Sequence, residues 1–499
     1  MNRTLKFFNT LTKEKEVFKP IVDGHIGMYV CGPTVYSDVH LGNCRTFVSF
    51  DMIYRYLLFI GYKVRYVRNI TDVGHLEGDV DTGAEDKISK KARLEQLEPM
   101  EIAQRYTNGF HEMMRKFNTL DPSIEPRATG HIPEQIKMVE RILENGYGYE
   151  VNGSVYFDTL KLSNDTGLYG KLSGRIIEDL MVETRDDLKN QSEKRHASDF
   201  AIWIKADDSH IMKWESPWSV GFPGWHLECS AMSTKYLGEH FDIHGGGGDL
   251  VFPHHENEIA QNFGACKCTP ANFWLHGNML LLNGKKMSKS DGNSITPVQL
   301  FTGDSPHISK GYNPMTLRFF MLQSHFRSTL DLTDNALLAA EKGYNRLMEA
   351  WQKLQKIEGK ASAETEMDKE IAQIIEVAFQ DMDDDFNTPK AMAKLFDLAG
   401  KINSINDGHV SADAISQSTV KQMQQFFHDM IFEIFGLNET GDTASDDGVV
   451  DGLMQLIIDL RQKARANKDF ATSDQIRDAL QEVNIQLKDS KDGTSWVKA

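Results

Sequence analysis

The feature that most constrains this chain is a strand–loop–helix–strand pattern that occurs twice, once near residue 30 and again near residue 240. In the first unit, Met28, Tyr29 and Val30 form a short apolar run that ends in Cys31-Gly32-Pro33, a chain-turning sequence. From His40 onward Phe47, Phe50, Ile53, Tyr54, Leu57 and Leu58 recur at helical spacing until Gly61, and Val64 to Ile70 reads as a second strand. In the second unit Phe241 to His244 reads as a strand, Gly245 to Gly248 as a loop, about 253–263 as a helix and Phe273 to His276 as a further strand. Such units build parallel α/β sheets, whose ligands gather at the carboxyl ends of the strands. The expected fold is therefore α/β, a Rossmann-like parallel sheet assembled from two halves with an inserted module at about 120–220. Within that insertion Tyr147, Tyr149 and Val151 alternate, Asn152-Gly153 turns, and Val155 and Phe157 alternate back, which predicts a hairpin. Asn283-Gly284, after Met279 to Leu282, predicts another.

Beyond about residue 330 the pattern is helical only. Leu337, Leu338, Tyr344, Leu347, Met348, Trp351 and Leu354 make one apolar stripe after a Thr333 cap. The expected organisation is an α/β part over 1–330, a helical bundle over 331–440, an acidic linker over 441–455 and a small module over 456–499. With 55 Lys+Arg against 72 Asp+Glu the formal charge is −17, which argues against a non-specific nucleic-acid coat but allows a local basic patch. No apolar run is long enough for a membrane span, and the N-terminal residues lack a signal-peptide pattern. Five scattered cysteines suggest a reducing cytosol rather than a disulfide framework, and leave metal binding open.

Four motifs carry chemistry. His40-Leu41-Gly42-Asn43 lies at a loop-to-helix junction, where free N–H groups and a glycine suit an approaching phosphate; the same residues would serve as a helix cap. Lys286-Met287-Ser288-Lys289-Ser290 puts two lysines on a polar loop after a hairpin, fit for a polyphosphate clamp or for a solvated basic loop. One motif in each half-fold points to nucleotide chemistry. His244 to Asp249 encloses four glycines after a strand, without a Walker or dinucleotide pattern. His254 and Glu258 are four apart, hence on one helix face, and with Cys31 and Cys229 they make a zinc ligand set. His255, Cys266 and Cys268 compete for that role, and four unconnected residues are the alternative. Asp383-Asp384-Asp385 before Asn387-Thr388-Pro389 reads as a helix entry rather than a metal cluster.

Together these residues resemble class I aminoacyl-tRNA synthetases, whose signatures are a HIGH tetrapeptide and a KMSKS loop, and more narrowly the cysteinyl-tRNA synthetase family. The likeness runs through FNTLTKEKEVFKP, MYVCGPTVY, RNITD, PGWHLECSAMS, HFDIHGGGGDLVFPHHENEIAQ, KKMSKS, MDDDFNTP and GTSW. Leu41 and Asn43 depart from HIGH, and Asn43 can donate a hydrogen bond but carry no charge. The resemblance implies ATP-dependent ligation of L-cysteine to tRNA(Cys) through a cysteinyl-adenylate. It implies one zinc ion per chain on Cys31, Cys229, His254 and Glu258, selecting the substrate thiolate over a serine hydroxyl, and Mg2+ with ATP. It implies ATP contacts at Pro33, His40, Gly42, Asn43, Gly246, Asp249, Lys286, Ser288 and Lys289, with His40, Asn43, Lys286 and Lys289 catalytic. Gly32, Thr34, Thr71, Trp225 and His244 would form the cysteine pocket, Trp225 and His244 also reading as core residues. RANKDFATSDQIRDAL matches the family's anticodon-binding module, which makes Arg465, Phe470, Asp474 and Asp489 the anticodon contacts; Phe470 stands where tryptophan is expected. A cytoplasmic monomer is expected. Two rival readings are a cysteine ligase with a small amine acceptor, which would not need the residues after 330, and a non-catalytic tRNA-binding homologue, which would not need the signature motifs.

Overall fold

A computed structural model describes residues 3–73, 87–95, 97–175, 193–208, 210–287, 292–438, 445–467, 469–482, 485–490 and 493–498. They form two units, Met1–Leu437 and Asn438–Ala499. In the first, an antiparallel pair, β1 (Lys6–Asn9) and β2 (Glu14–Val17), precedes the central sheet. That sheet joins β3 (His25–Val30), β4 (Lys63–Arg68), β9 (Phe241–Gly247) and β10 (Ala271–Gly277) in the order β10-β9-β3-β4, every pairing parallel. Met28, Tyr29 and Val30 are wholly buried, as the apolar run of a doubly covered parallel strand must be. α1 (Leu41–Phe59) follows β3, and its stripe of Phe47, Phe50, Ile53 and Leu57 packs into the main core. The second half-fold repeats the plan with α7 (Glu256–Cys266) between β9 and β10.

The chain between the halves starts differently from the expected module at about 120–220. Ile124 and Arg127 bridge in parallel to Val67 and Ile70, so this stretch extends the edge of the central sheet. α2 (Lys87–Glu95) and α3 (Pro99–Lys116) precede it, and α4 (Ile132–Glu144) packs on α7 and on α6 (Trp225–Leu237). A separate antiparallel sheet then takes β5 (Gly148–Val151), β6 (Ser154–Phe157), β7 (Phe200–Lys205) and β8 (Gly221–Pro223), with α5 (Thr159–Thr166) after β6. Asn152 and Gly153 join β5 to β6 with φ of 51° and 89°, the two positive values a type I′ turn requires. Asn283 and Gly284 do the same, at 52° and 75°, between β11 (Leu280–Leu282) and β12 (Lys285–Lys286). β11 also pairs with β13 (Leu330–Leu332), and α8 (Pro297–Thr302) and α9 (Pro314–Leu322) lie between them in the chain.

α10 (Asp334–Leu354), α11 (Glu366–Asp383), α12 (Thr388–Asn406) and α13 (Gln417–His428) form the helical bundle. Thr333 caps α10 as expected, through the N–H of Ala336. Leu337, Tyr344, Leu347, Met348 and Leu354 are buried, while Leu338 and Trp351 are half-buried at the edge of the stripe. Asp383, Asp384 and Asp385 precede the Asn387 cap of α12. They hold side chains elsewhere in the chain: Asp383 takes Arg3 at 2.9 Å, Asp384 takes Lys15 at 2.7 Å, and Asp385 pairs with Arg327. Among the described residues no helix is long and apolar enough to cross a membrane.

The second unit contains α14 (Ser445–Ala466), α15 (Phe470–Glu482) and an antiparallel pair, β14 (Ile485–Ser490) and β15 (Gly493–Lys498). α14 begins inside the stretch 441–455 expected as a linker. The backbone is helical from Ser445 onward, so an excess of acid in the sequence does not by itself mark a linker.

α1 is tied to the rest of the first unit by a buried ionic junction. Asp51 accepts from Arg55 at 2.8 Å, from the backbone of Leu120 at 2.7 Å and from Arg318 of α9. Arg318 also donates to the carbonyls of Phe117 at 2.7 Å and Phe435 at 2.6 Å. Removing Asp51 would leave two buried guanidinium groups, Arg55 and Arg318, without the carboxylate between them. Asp51→Asn is expected to destabilise the unit by about 3–5 kcal/mol, read as a lower urea midpoint; an unchanged midpoint would contradict this role.

Candidate functional site

At the carboxyl end of β3 the chain turns through Cys31, whose N–H donates to the carbonyl of Gly245 at 3.1 Å. Three other side chains converge on it. Cys31 Sγ lies 3.5 Å from Cys229 Sγ and 3.5 Å from Glu258 Oε1. His254 Nε2 lies 3.4 Å from Cys229 Sγ and 3.3 Å from Glu258 Oε1. Cys229 comes from α6 and Glu258 from the first turn of α7, while His254 sits in the wide turn Val251–His255 that feeds α7. All four are buried, and their donor atoms fall within 4.8 Å of one another. A tetrahedral zinc with bonds of about 2.0–2.3 Å has ligand–ligand edges of about 3.3–3.8 Å, so this donor set fits the ion in both chemistry and spacing.

A surrounding layer orients these donors. His254 Nδ1 is 2.8 Å from His226 Nδ1, and Glu258 Oε2 is 2.9 Å from His244 Nε2. Such outer contacts fix ring orientation and carboxylate rotamer. His255, the competing candidate, packs against the same cluster: its Nε2 is 3.3 Å from Cys31 Sγ and its Nδ1 is 2.8 Å from His276 Nε2. Cys31, His244, His255 and Glu258 are thus a second set of donors in reach of one ion, sharing Cys31 and Glu258 with the first. Burial pushes the thiols of Cys31 and Cys229 up, and holds His255 down, helped by its neighbouring imidazoles; His276 is held at about 3 by burial. The other competitors are engaged elsewhere. Cys266 and Cys268, at the far end of α7, are joined as a disulfide, and their neighbour Glu239 pairs with Arg141 at 2.6 Å.

The remaining expected pocket residues cluster around Cys31. Gly32 N–H donates to Asn69 Oδ1 at 2.8 Å, and a Cβ at Gly32 would lie 1.6 Å from the Asn69 carbonyl oxygen, so only glycine fits there. Thr34 and Thr71 form a parallel bridge, Thr71 N–H donates to the Pro33 carbonyl at 3.0 Å, and Asn69 Nδ2 donates to Thr71 Oγ1 at 3.1 Å. Trp225 opens α6 with its ring 4.5 Å from that of His254. His244 is fully buried in β9, stacked 4.3 Å from Trp274.

The glycine run differs from the expected loop. β9 continues through Gly247, because its glycines admit close neighbours: a Cβ at Gly245 would lie 2.2 Å from the Phe50 ring, and one at Gly246 would lie 2.8 Å from His255. Asp249 follows in a short turn and is exposed. His40 is the N-cap of α1: its Nδ1 accepts from the N–H of Asn43 at 3.3 Å, while Asn43 Oδ1 faces His40 N–H at 3.5 Å. Gly42 lies in the same first turn. Lys286 is exposed on β12, whereas Ser288 and Lys289 lie outside the described residues. In the second unit Arg465 is exposed near the end of α14, Phe470 is exposed at the start of α15, and Asp474 pairs with Arg477 at 3.1 Å. Asp489 lies in β14 opposite Thr494.

Asn69, His226 and His276 are functional neighbours that residue patterns alone miss. Asn69 and His226 do fall inside RNITD and PGWHLECSAMS, the segments that carry the resemblance.

Fold and site together define a class I tRNA synthetase. Residues 17–342 match the family described as the tRNA synthetases class I (C) catalytic domain, and residues 379–439 match the DALR domain. A solved Mycobacterium tuberculosis methionyl-tRNA synthetase in complex with methionyl-adenylate shares the fold, with a TM-score of 0.57 at 14% identity over 82% of this chain and 89% of that one. Relatives named cysteine–tRNA ligase align over nearly the whole length. Those of Parabacteroides distasonis and Bacteroides thetaiotaomicron are 52% and 51% identical over 99% of both chains, and that of Deinococcus radiodurans is 46% identical over 100% of this chain and 97% of its own. The chain belongs to the cysteine–tRNA ligase family.

Two measurements check the donor set. Cys229→Ser is expected to drop bound zinc well below the wild-type stoichiometry by elemental analysis; unchanged content would exclude these donors. In chelator-stripped protein the folded pKa values of Cys31 and Cys229 lie above the unfolded thiol value of about 8.5, so their stabilising effect is complete below that pH and is lost as pH rises toward the folded values. The melting temperature of stripped protein should therefore fall in alkali, and zinc uptake, which displaces these protons, should tighten with rising pH.

Proposed function

We propose that this chain activates L-cysteine with Mg-ATP as cysteinyl-adenylate and transfers it to tRNA(Cys), in the cytoplasm and as a monomer. The observation that carries this reading is the buried set of two thiols, an imidazole and a carboxylate at the carboxyl end of β3, beside Gly32 and Thr71. Cys31, Cys229, His254 and Glu258 would hold a zinc ion there. When bound, that ion would favour the substrate's thiolate, a soft anionic ligand, over the hard and weakly acidic hydroxyl of serine.

The chain's own groups do the rest. Asn69 fixes the backbone at Gly32, and His226 and His244 hold His254 and Glu258 in place. Trp225 covers the imidazole of His254. Pro33, Gly42, Asn43, Gly246 and Asp249 would border the nucleotide. The first turn of α1 presents backbone N–H groups suited to phosphate. His40 would bond the α-phosphoryl oxygens as the cysteine carboxylate attacks, with Lys286, Ser288 and Lys289 on the departing pyrophosphate. In the second step the 2′-hydroxyl of the terminal adenosine attacks the adenylate carbonyl and releases AMP. The matched DALR domain and the second unit, with Arg465, Phe470, Asp474 and Asp489, favour tRNA over a small amine as acceptor. A cation, an exposed aromatic ring and carboxylates suit an unpaired anticodon.

Cysteine-dependent exchange of pyrophosphate into ATP tests the first step, and charging of purified tRNA tests the acceptor. Lys286→Ala is expected to lower exchange by about 10²–10³-fold. Serine exchange close to that of cysteine would overturn the selectivity proposed for the metal, and exchange without tRNA charging would favour the amine ligase.

A further inference from the structure

Arg45 lies in the second turn of α1, five residues after His40, and only 2% of it is exposed. Its guanidinium donates to four backbone carbonyls. Nη1 reaches Asn278 at 3.0 Å and Met279 at 2.7 Å; Nη2 reaches His325 at 3.3 Å and Ser328 at 2.5 Å. Asn278 and Met279 are the two residues between β10 and β11, hence the root of the hairpin that carries Lys286. His325 and Ser328 precede β13, the strand paired with β11. These two segments are also sewn to each other, by Asn278 N–H on the Phe326 carbonyl at 2.8 Å and Leu330 N–H on the Met279 carbonyl at 3.2 Å. One side chain therefore gathers the root of the three-stranded sheet β12-β11-β13 onto the helix whose N-cap is His40.

Among the described residues no carboxylate pairs with Arg45; its charge is balanced by carbonyl dipoles alone. Burial lowers its pKa to about 10, which still leaves it charged near neutrality. A planar fork is what lets one cation serve four oxygens from two chain segments, and a lysine ammonium cannot reproduce it. α1 has no need of this contact to form, because Phe47, Phe50, Ile53 and Leu57 already bury its apolar face.

We propose that Arg45 is a positioning residue for ATP activation: it locks the lysine-bearing hairpin in register with the His40 end of α1, so that both address one phosphate chain. This rests on the activation reading above. The test is cysteine-dependent pyrophosphate exchange by zinc-loaded Arg45→Lys and Arg45→Ala, with metal content, melting temperature and hydrogen exchange measured alongside. The expected result is a KM for ATP raised about tenfold or more, the equivalent of roughly 1.4 kcal/mol, with kcat lowered and with KM for cysteine and zinc content unchanged. Arg45→Lys should be the milder variant, and added guanidinium should partly restore Arg45→Ala. Amides of the 278–287 peptide should exchange faster in Arg45→Ala while those of α1 stay protected. An unchanged KM for ATP, or parallel losses in both KM values, zinc content and melting temperature, would overturn the proposal. Wild-type protein lacking any cysteine-dependent exchange would instead overturn the activation reading, and unaltered exchange of the hairpin amides in the variants would still refute the clamp.

Discussion

The parallel pairing of β3 with β9 is the interaction on which the rest of the site depends. It sets Tyr29 against His244 and Val30 against Gly245, and its last hydrogen bond fixes Cys31 beside the glycine run. The two strands come from halves of the fold separated by the whole inserted region. Only their register brings a thiol at the end of one half within 3.5 Å of a carboxylate that the other half supplies. Glycines in β9 make the pairing compatible with its neighbours: Phe50 of α1 and His255 before α7 occupy the space that side chains at 245 and 246 would need.

Buried charge is managed in three ways in this protein, and each marks a different task. At Asp51 one carboxylate is shared by two guanidinium groups, whose other donors go to the carbonyls of Phe117, Asn118 and Phe435. At Arg45 a charged guanidinium is solvated by four carbonyl dipoles, with no acidic partner among the described residues. At the Cys31 cluster burial instead pushes the thiols of Cys31 and Cys229 up and the imidazoles of His255 and His276 down, toward their neutral forms. The first two solutions are complete within the chain. The third offers donors that fit a positive ion.

Much of the architecture is legible in local pattern. The helical stripe from Phe47 to Leu57, the two Asn-Gly hairpins and the Thr333 and Asn387 caps follow from periodicity and turn chemistry acting over a few residues. Readings that required a boundary were less secure. The Ile124 to Arg127 stretch looks like the start of an insertion, yet it bridges to β4; Asp446 and Asp447 look like linker, yet they begin a helix. The glycine run looks like a loop, yet neighbouring rings keep it extended as strand through Gly247. For the Ile124 to Arg127 stretch and the glycine run the deciding contact lies far along the chain, with Val67 and Ile70 in the one case and Phe50 in the other.

By itself the sequence determined the elements, their order and the inventory of donors: two cysteines, a histidine and a glutamate at positions that a zinc site could use, together with the two signature motifs. It left His255, Cys266 and Cys268 as rivals. The tertiary structure alone decided that His255 shares the cluster through Cys31, that the Cys266–Cys268 pair sits apart from it, and that Asn69, His226 and Arg45 hydrogen-bond to Gly32, His254 and Asn278. The physical reason is range. Helix period and turn preference act between residues a few positions apart, whereas orientation of a buried donor depends on which distant segment packs behind it.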